Sequence, residues 1–245
     1  MTQDNGNKYK LTDETIEVCG FTLYRIQALR KFGEIEIDDF GGYIEKETNL
    51  SQVSGDAWVS GDAQVSGNAW VSGDAQVSGN AWVSGDAQVS GDAWVSGNAQ
   101  VSGDARVYDN ARVSGNAQVS GNARVSGNAR VSGDAWVSGD AWVYDNAWVS
   151  GDAWVYDNAR VSGNAQVSNK VKIENRTDYL TIGPIGSRND TLTLTRCGMA
   201  FTGCFGGTWN ALLEKSKQGI SREKYTAQYE AAIAFARAFF VEALQ

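Results

Sequence analysis

From Val53 to Lys172 one six-residue phrase is repeated twenty times: Val, Ser or Tyr, Gly or Asp, Asp or Asn, Ala, and a free sixth position. Val53-Ser54-Gly55-Asp56-Ala57-Trp58 is one copy, and Val161-Ser162-Gly163-Asn164-Ala165-Gln166 is another. A period this short cannot build helical repeats, so it predicts a stacked β-solenoid. Ala and the next Val are two residues apart and share one face of a strand, while the residue between them faces the other way. The Ser-Gly-Asp/Asn triplet is turn chemistry, because Gly, Asn and Asp accept positive φ at low cost.

Three strand-and-corner units close an 18-residue triangular coil whose interior holds only Val and Ala. Coils stacked about 4.8 Å apart make a rod on the order of 30 Å long. A single coil is unstable alone. Its three valines contribute about 1.5–3 kcal/mol each, whereas ordering eighteen residues costs about 1–2 kcal/mol apiece. Stacking must supply the rest, and the open ends need covers. Residues 1–52 are therefore expected to form an N-terminal hairpin cap, 53–177 the rod, and 178–245 a small α+β domain.

In the N-terminal part, Thr15–Val18 is expected to return as Phe21–Ile26 around Cys19-Gly20. Ile35–Ile44 then leads into the first coil. In the C-terminal part, Tyr179–Ile182, Thr191–Arg196 and Met199–Thr202 read as strands. Thr208 is expected to cap a helix through about Lys217, and Ser221 a longer one to Leu244. That last helix carries Tyr225, Tyr229, Ile233, Ala236 and Phe240 on one stripe, with Phe235 and Phe239 beside it. So wide an apolar arc suggests packing on a second copy as well as on the domain's own sheet.

The hexads resemble the hexapeptide repeat of left-handed β-helices, with an aliphatic residue first and a small one fifth. The resemblance implies a left-handed parallel β-helix, and the trimers common in that class favour a homotrimer. It departs from the family pattern at position two, where Ser or Tyr stands and Gly follows one place later. The chain also resembles uncharacterised proteins of tailed phages and prophages. The residues that carry this are Tyr9-Lys10-Leu11-Thr12, Leu23-Tyr24-Arg25-Ile26, Gly41-Gly42-Tyr43-Ile44, Asn49-Leu50-Ser51, the hexads, Leu180–Ser187 and Gly203-Cys204-Phe205. That resemblance implies a source rather than an activity.

Composition narrows the function classes. The chain has no histidine, so the His base generally used by left-handed β-helix acyltransferases, a Ser-His-Asp triad and His-ligated zinc are all absent. No catalytic residues and no cofactor are expected. Cys19, Cys197 and Cys204 fit no metal spacing and leave one unpaired, which reads as a reduced cytoplasmic chain. The polar leader at Met1–Asp4 lacks an apolar signal core, and no apolar run is long enough to span a membrane. A net charge of −8 argues against nucleic acid as a partner.

The free sixth position writes the rod's surface, and eight of the nine tryptophans occupy it. Trp136, Trp142, Trp148 and Trp154 with Arg106, Arg112, Arg124, Arg130 and Arg160 form the candidate binding surface, since Trp and Arg dominate interface energetics. Counting by eighteen puts Trp136 with Trp154, Trp142 with Arg160, and Arg130 with Trp148. Aromatic residues also simply suit a flat sheet, and oligomer partners would cover them equally well. Corner Asp ladders such as Asp56, Asp74 and Asp92 invite a cation, but the equivalent Asn corners need none, so they are read as solvated turn residues and no metal is expected.

Gly203, Gly206, Gly207 and Thr208, placed between a strand and a helix start, form a candidate anion site with Arg188 and Arg196. The signal lacks the lysine of a P-loop. The expectation is a non-catalytic protein whose rod binds a host protein and so blunts a defence system. The rivals are a sponge for a nucleotide-like small anion and a spacer in a virion.

Overall fold

The computed structural model describes residues 6–53, 55–218 and 222–242. The polar leader at Met1–Asp4, the cap at Ser221 and the helix end at Leu244 lie outside the described residues. The chain is mainly β: a parallel β-solenoid with an antiparallel sheet at its N-terminal end and a small α+β domain at the other.

The solenoid's strands are two residues long, β4–β23, running from Trp58–Val59 to Lys172–Ile173 at six-residue spacing. Each pairs in parallel with the strand eighteen residues away, as Trp94 does with Arg112 and Val95 with Val113. The ladder is regular: Trp70 N–H donates to Ala87 at 2.9 Å and Ser72 N–H to Val89 at 3.0 Å. Three walls result, and from Ala57 to Val167 every repeat valine and alanine in the described rod is fully buried. At the corners the third-position glycines hold φ between 61 and 71°. In the three Tyr-Asp-Asn units, Asp109, Asp145 and Asp157 take the same left-handed conformation.

The start of the rod differs from the sequence expectation. Val53 is 87 % exposed and does not line the tube. Its place is taken by Leu50, which is buried and bridges Val71, while Ile44 pairs with Val65. Ile44 and Leu50 are themselves six residues apart, so the solenoid core begins inside the segment expected to be only a cap. Both are offset by 21 residues from their partners, whereas Trp58 is offset by 18 from Gln76. The chain therefore bulges by three residues around Val53. At the far end Val171 takes an alanine slot, and Ile173 pairs with Val155 to close the last coil.

The N-terminal hairpin forms as expected. Strands β1 (Tyr9–Val18) and β2 (Phe21–Ala28) pair antiparallel about Cys19-Gly20. Strand β3 (Phe40–Ile44) lies antiparallel to β2 and parallel to the rod strand at Gln64–Val65, so one wall continues into the cap as a single ten-stranded sheet. Lys8 is buried at this end. Its Nζ donates to the carbonyls of Ala57 at 2.9 Å and Gly55 at 3.3 Å, and it lies 4.9 Å from the centre of the Phe32 ring. Loss of hydration lowers its pKa to about 8 against the opposing pull of Asp56.

At the other end β24 (Tyr179–Ile185), β25 (Asp190–Thr195), β26 (Met199–Thr202) and β27 (Phe205–Thr208) form an antiparallel meander. Strand alternation divides its residues. Leu192, Leu194 and Ala200 face helices α1 (Trp209–Ser216) and α2 (Arg222–Glu242) through Leu212, Ile233, Ala236 and Phe240. Phe201, Met199 and Tyr179 instead join the rod's core. Thr193 Oγ1 accepts from Gln166 N–H at 2.9 Å, tying the sheet to the last coils. Thr208 caps α1 as its sequence predicts, accepting from Ala211 N–H at 3.2 Å.

Candidate functional site: the rod surface and the C-terminal cavity

Because the fifth and first positions point inward, each wall displays a column of sixth-position residues. One wall carries Trp136, Trp154 and Lys172 in adjacent coils. A second carries Trp94, Arg112, Arg130 and Trp148. The third carries Arg106, Arg124, Trp142 and Arg160. The expected neighbours are therefore neighbours.

The rings of Trp136 and Trp154 meet edge to face, with centroids 4.8 Å apart. Arg160 lies over Trp142 at 5.9 Å, and Lys172 over Trp154 at 5.0 Å. Arg112 lies over Trp94 at 5.7 Å, whereas Arg130 and Trp148 share a register without stacking.

The tryptophans are outside the tube, with one correction. Trp58 is 1 % exposed, covered by the cap through Phe32 and Tyr9 at ring distances of 5.3 and 6.3 Å. Gly41 makes that cover feasible, since a Cβ there would stand 2.7 Å from the indole. Trp136, Trp148 and Trp154 remain 37–43 % exposed, and Trp142 is half-buried beside Tyr144. Several indoles lie along the rod and donate to a serine of the preceding coil, as Trp142 Nε1 does to Ser126 Oγ at 3.1 Å. This contact was not expected from the sequence, although a Ser sixteen residues before each such Trp is its signal.

None of Arg106, Arg112, Arg124, Arg130 and Arg160 forms an ion pair among the described residues. The corners are more self-contained. Asn68 Nδ2 donates to Asp86 at 3.0 Å, and Asn80, Asn98 and Asn116 hand hydrogen bonds along to Asp134. Three asparagines thus stand between Asp62 and Asp134, whereas Asp56, Asp74 and Asp92 follow one another directly, Asp56 N–H donating to Asp74 Oδ1 at 2.8 Å. Among the described residues no group of three or more His, Cys, Asp or Glu side chains could hold a metal ion.

The anion site read from Gly203–Thr208 is reorganised. Gly206, Gly207 and Thr208 belong to β27, paired with Phe201, Ala200 and Met199, and are not a strand-to-helix loop. The Thr208 hydroxyl is used by the helix cap. Arg196 is drawn away to Asp178, 3.3 Å distant. Gly203 and Arg188 do come together: the turn between β26 and β27 puts Cys204 Sγ 3.4 Å from Arg188 Nη1. That bond, the Arg188 charge and the more distant Lys215 hold the exposed Cys204 thiol below its ordinary pKa. Beside it opens a cavity of about 220 Å³ between the sheet and the helices, lined in part by Arg188, Cys204, Lys215, Tyr225 and Tyr229.

No described helix is long and apolar enough to cross a membrane. A family model of the YdcK beta solenoid repeat matches residues 63–139 in overlapping pieces and again 153–169, all within the rod. No curated protein matches the chain. The matched segments coincide with the coils of the three-walled core, and the chain is a repeat β-solenoid protein.

Proposed function

We propose that the protein is a non-catalytic binding rod whose third wall engages an acidic surface on a partner protein. The observation that carries this reading is the column Arg106–Arg124–Trp142–Arg160, three guanidinium groups with no carboxylate partner among the described residues and one indole on a rigid parallel sheet. Trp and Arg together are the side chains that most often anchor interfaces. A preformed sheet presents them with little conformational entropy to lose on binding. The coils from Asp56 to Asp104 carry six aspartates and no Lys or Arg; they would repel the same partner, which favours the Arg106–Arg160 end of the rod.

The finer reading is a phage or prophage protein acting in the bacterial cytoplasm on a host defence component, supported by the resemblance of the end segments. A homotrimer fits the exposed Phe235, 56 % accessible on α2. Capture from bacterial lysate, followed by kinetic measurement on the recovered protein, tests the reading. Arg124→Glu with Arg160→Glu should weaken association at least tenfold, and raised salt should slow the wild-type on-rate. Unchanged binding by the double variant, or binding indifferent to salt, would refute the role given to this wall.

A further inference from the structure

The cavity in the C-terminal domain is lined by that domain alone, although Arg188, Gly203, Cys204 and Phe205 also line a neighbouring cleft with Trp148 and Gln166 of the second wall. Its walls are the turn from β24 to β25, the Gly203–Cys204 turn, α1 and the start of α2. Arg188 and Lys215 both line it. Among the described residues Arg188 has no carboxylate within ion-pair distance, its side-chain hydrogen bond going to Cys204. Lys215 likewise has none among the described residues, and its Nζ stands 5.3 Å from the Phe205 ring centre. Asp190 is the one carboxylate on the described wall, and one of its oxygens already accepts from Thr191 N–H at 2.8 Å. Two cations against one partly used carboxylate leave the cavity electropositive in a protein of net charge −8.

The remaining lining adds donors and a flat apolar side. Tyr229 is half-buried, and its hydroxyl is held protonated by that burial and by Asp190, so it donates rather than repels an anion. Ile185, Phe205 and Leu212 supply apolar wall. A planar guanidinium suits two oxygens of one head group, and an ammonium adds a second point charge. Together they match a dianionic head better than a single carboxylate.

We infer that this cavity binds a small molecule bearing a phosphate monoester, with Arg188 and Lys215 holding the phosphate and Phe205 and Leu212 flanking an apolar or planar body. Cys204 sits at the mouth and is not consumed. It serves as a built-in reporter, because a bound phosphate both covers the thiol and neutralises the Arg188 charge beside it.

The test uses the full chain carrying Cys19→Ser and Cys197→Ser, so that Cys204 is the one thiol. Its alkylation by iodoacetamide is followed while adenosine monophosphate, inorganic phosphate or adenosine is added. The monophosphate should slow alkylation saturably by about fivefold or more, inorganic phosphate should do so at higher concentration, and adenosine should do nothing. In Lys215→Gln, which leaves the Arg188–Cys204 contact intact, half-protection should need at least tenfold more ligand. Calorimetric titration of a Cys204→Ser chain should still show binding. No saturable protection by about 10 mM monophosphate, a range that admits even weak sites, would overturn the inference. Equal protection by adenosine, or an unchanged response in Lys215→Gln, would do the same.

Discussion

Placing one methyl group at two equivalent corners separates the stacking of coils from the conformation of the turn. Gly121 and Gly163 have nearly the same backbone, with φ of 66 and 65°. A Cβ on Gly121 would stand 3.0 Å from the backbone nitrogen and 3.1 Å from the carbonyl oxygen of Gly139 in the next coil. A Cβ on Gly163, at the end of its column, would meet nothing within 4 Å. Both alanine variants bear the left-handed penalty of about 1–2 kcal/mol.

Gly121→Ala alone adds an overpacking cost of about 1–3 kcal/mol, because the opposing atoms are backbone held by the ladder and cannot rotate away. The difference between the variants should therefore be about 1–3 kcal/mol. Urea unfolding followed by far-ultraviolet circular dichroism reads it as a lower midpoint for Gly121→Ala at unchanged slope. Equal midpoints would mean that the coils do not approach this closely at the corners, and the stacking argument would fail.

Two further predictions concern the cap and the display columns. Lys8 releases its proton near pH 8 when folded but near 10.5 when unfolded. Between those values the unfolded chain binds more protons, so stability should rise with pH by up to about 3 kcal/mol from this group. Tyr9 is pushed the other way, its phenol resisting ionisation when buried, and it costs stability only above pH 10. Cys204, its thiol held below the ordinary pKa, adds a rise of the same sign in the lower part of this window, so the comparison is made in a Cys204→Ser chain. There Lys8→Met should flatten the slope between pH 8 and 10 in urea melts, and an unchanged slope would remove Lys8 from the account. A double-mutant cycle of Trp136→Gln and Trp154→Gln should give a coupling of about 0.5–1.5 kcal/mol for an edge-to-face pair, and a coupling of zero would show the rings to be apart.

The repeat made the rod legible because the same local choice recurs so often that pattern, turn chemistry and burial agree in every coil. Strand β27 was hidden because Phe205-Gly206-Gly207-Thr208 has poor strand propensity and depends on pairing with β26. Val53 misled for a related reason. It matches the phrase, yet Leu50 three residues earlier fills the slot, and only the offset between coils reveals the bulge. Trp58 follows the surface rule of its position and is buried by Tyr9 and Phe32 of the N-terminal cap.

The candidate sites divide in the same way. The columns on each wall followed from counting by eighteen. The meeting of Arg188, Lys215 and Cys204 joins a strand turn, a helix and a hairpin tip, and no spacing in the sequence announces it. Arg196 looked equivalent to Arg188 by type and neighbourhood, but the Asp178 carboxylate claims its guanidinium.

Cysteine accessibility within one coil tests the inside-outside assignment most directly. In a chain with Cys19, Cys197 and Cys204 changed to Ser, Gln118→Cys and Val119→Cys place thiols on adjacent residues of one strand. The Gln118→Cys thiol should react with a small alkylating agent at nearly the rate of a free thiol. The Val119→Cys thiol should react only through global unfolding, and so orders of magnitude more slowly. Comparable rates, or the reverse order, would contradict a tube filled by valine and alanine and displaying its sixth residues to water.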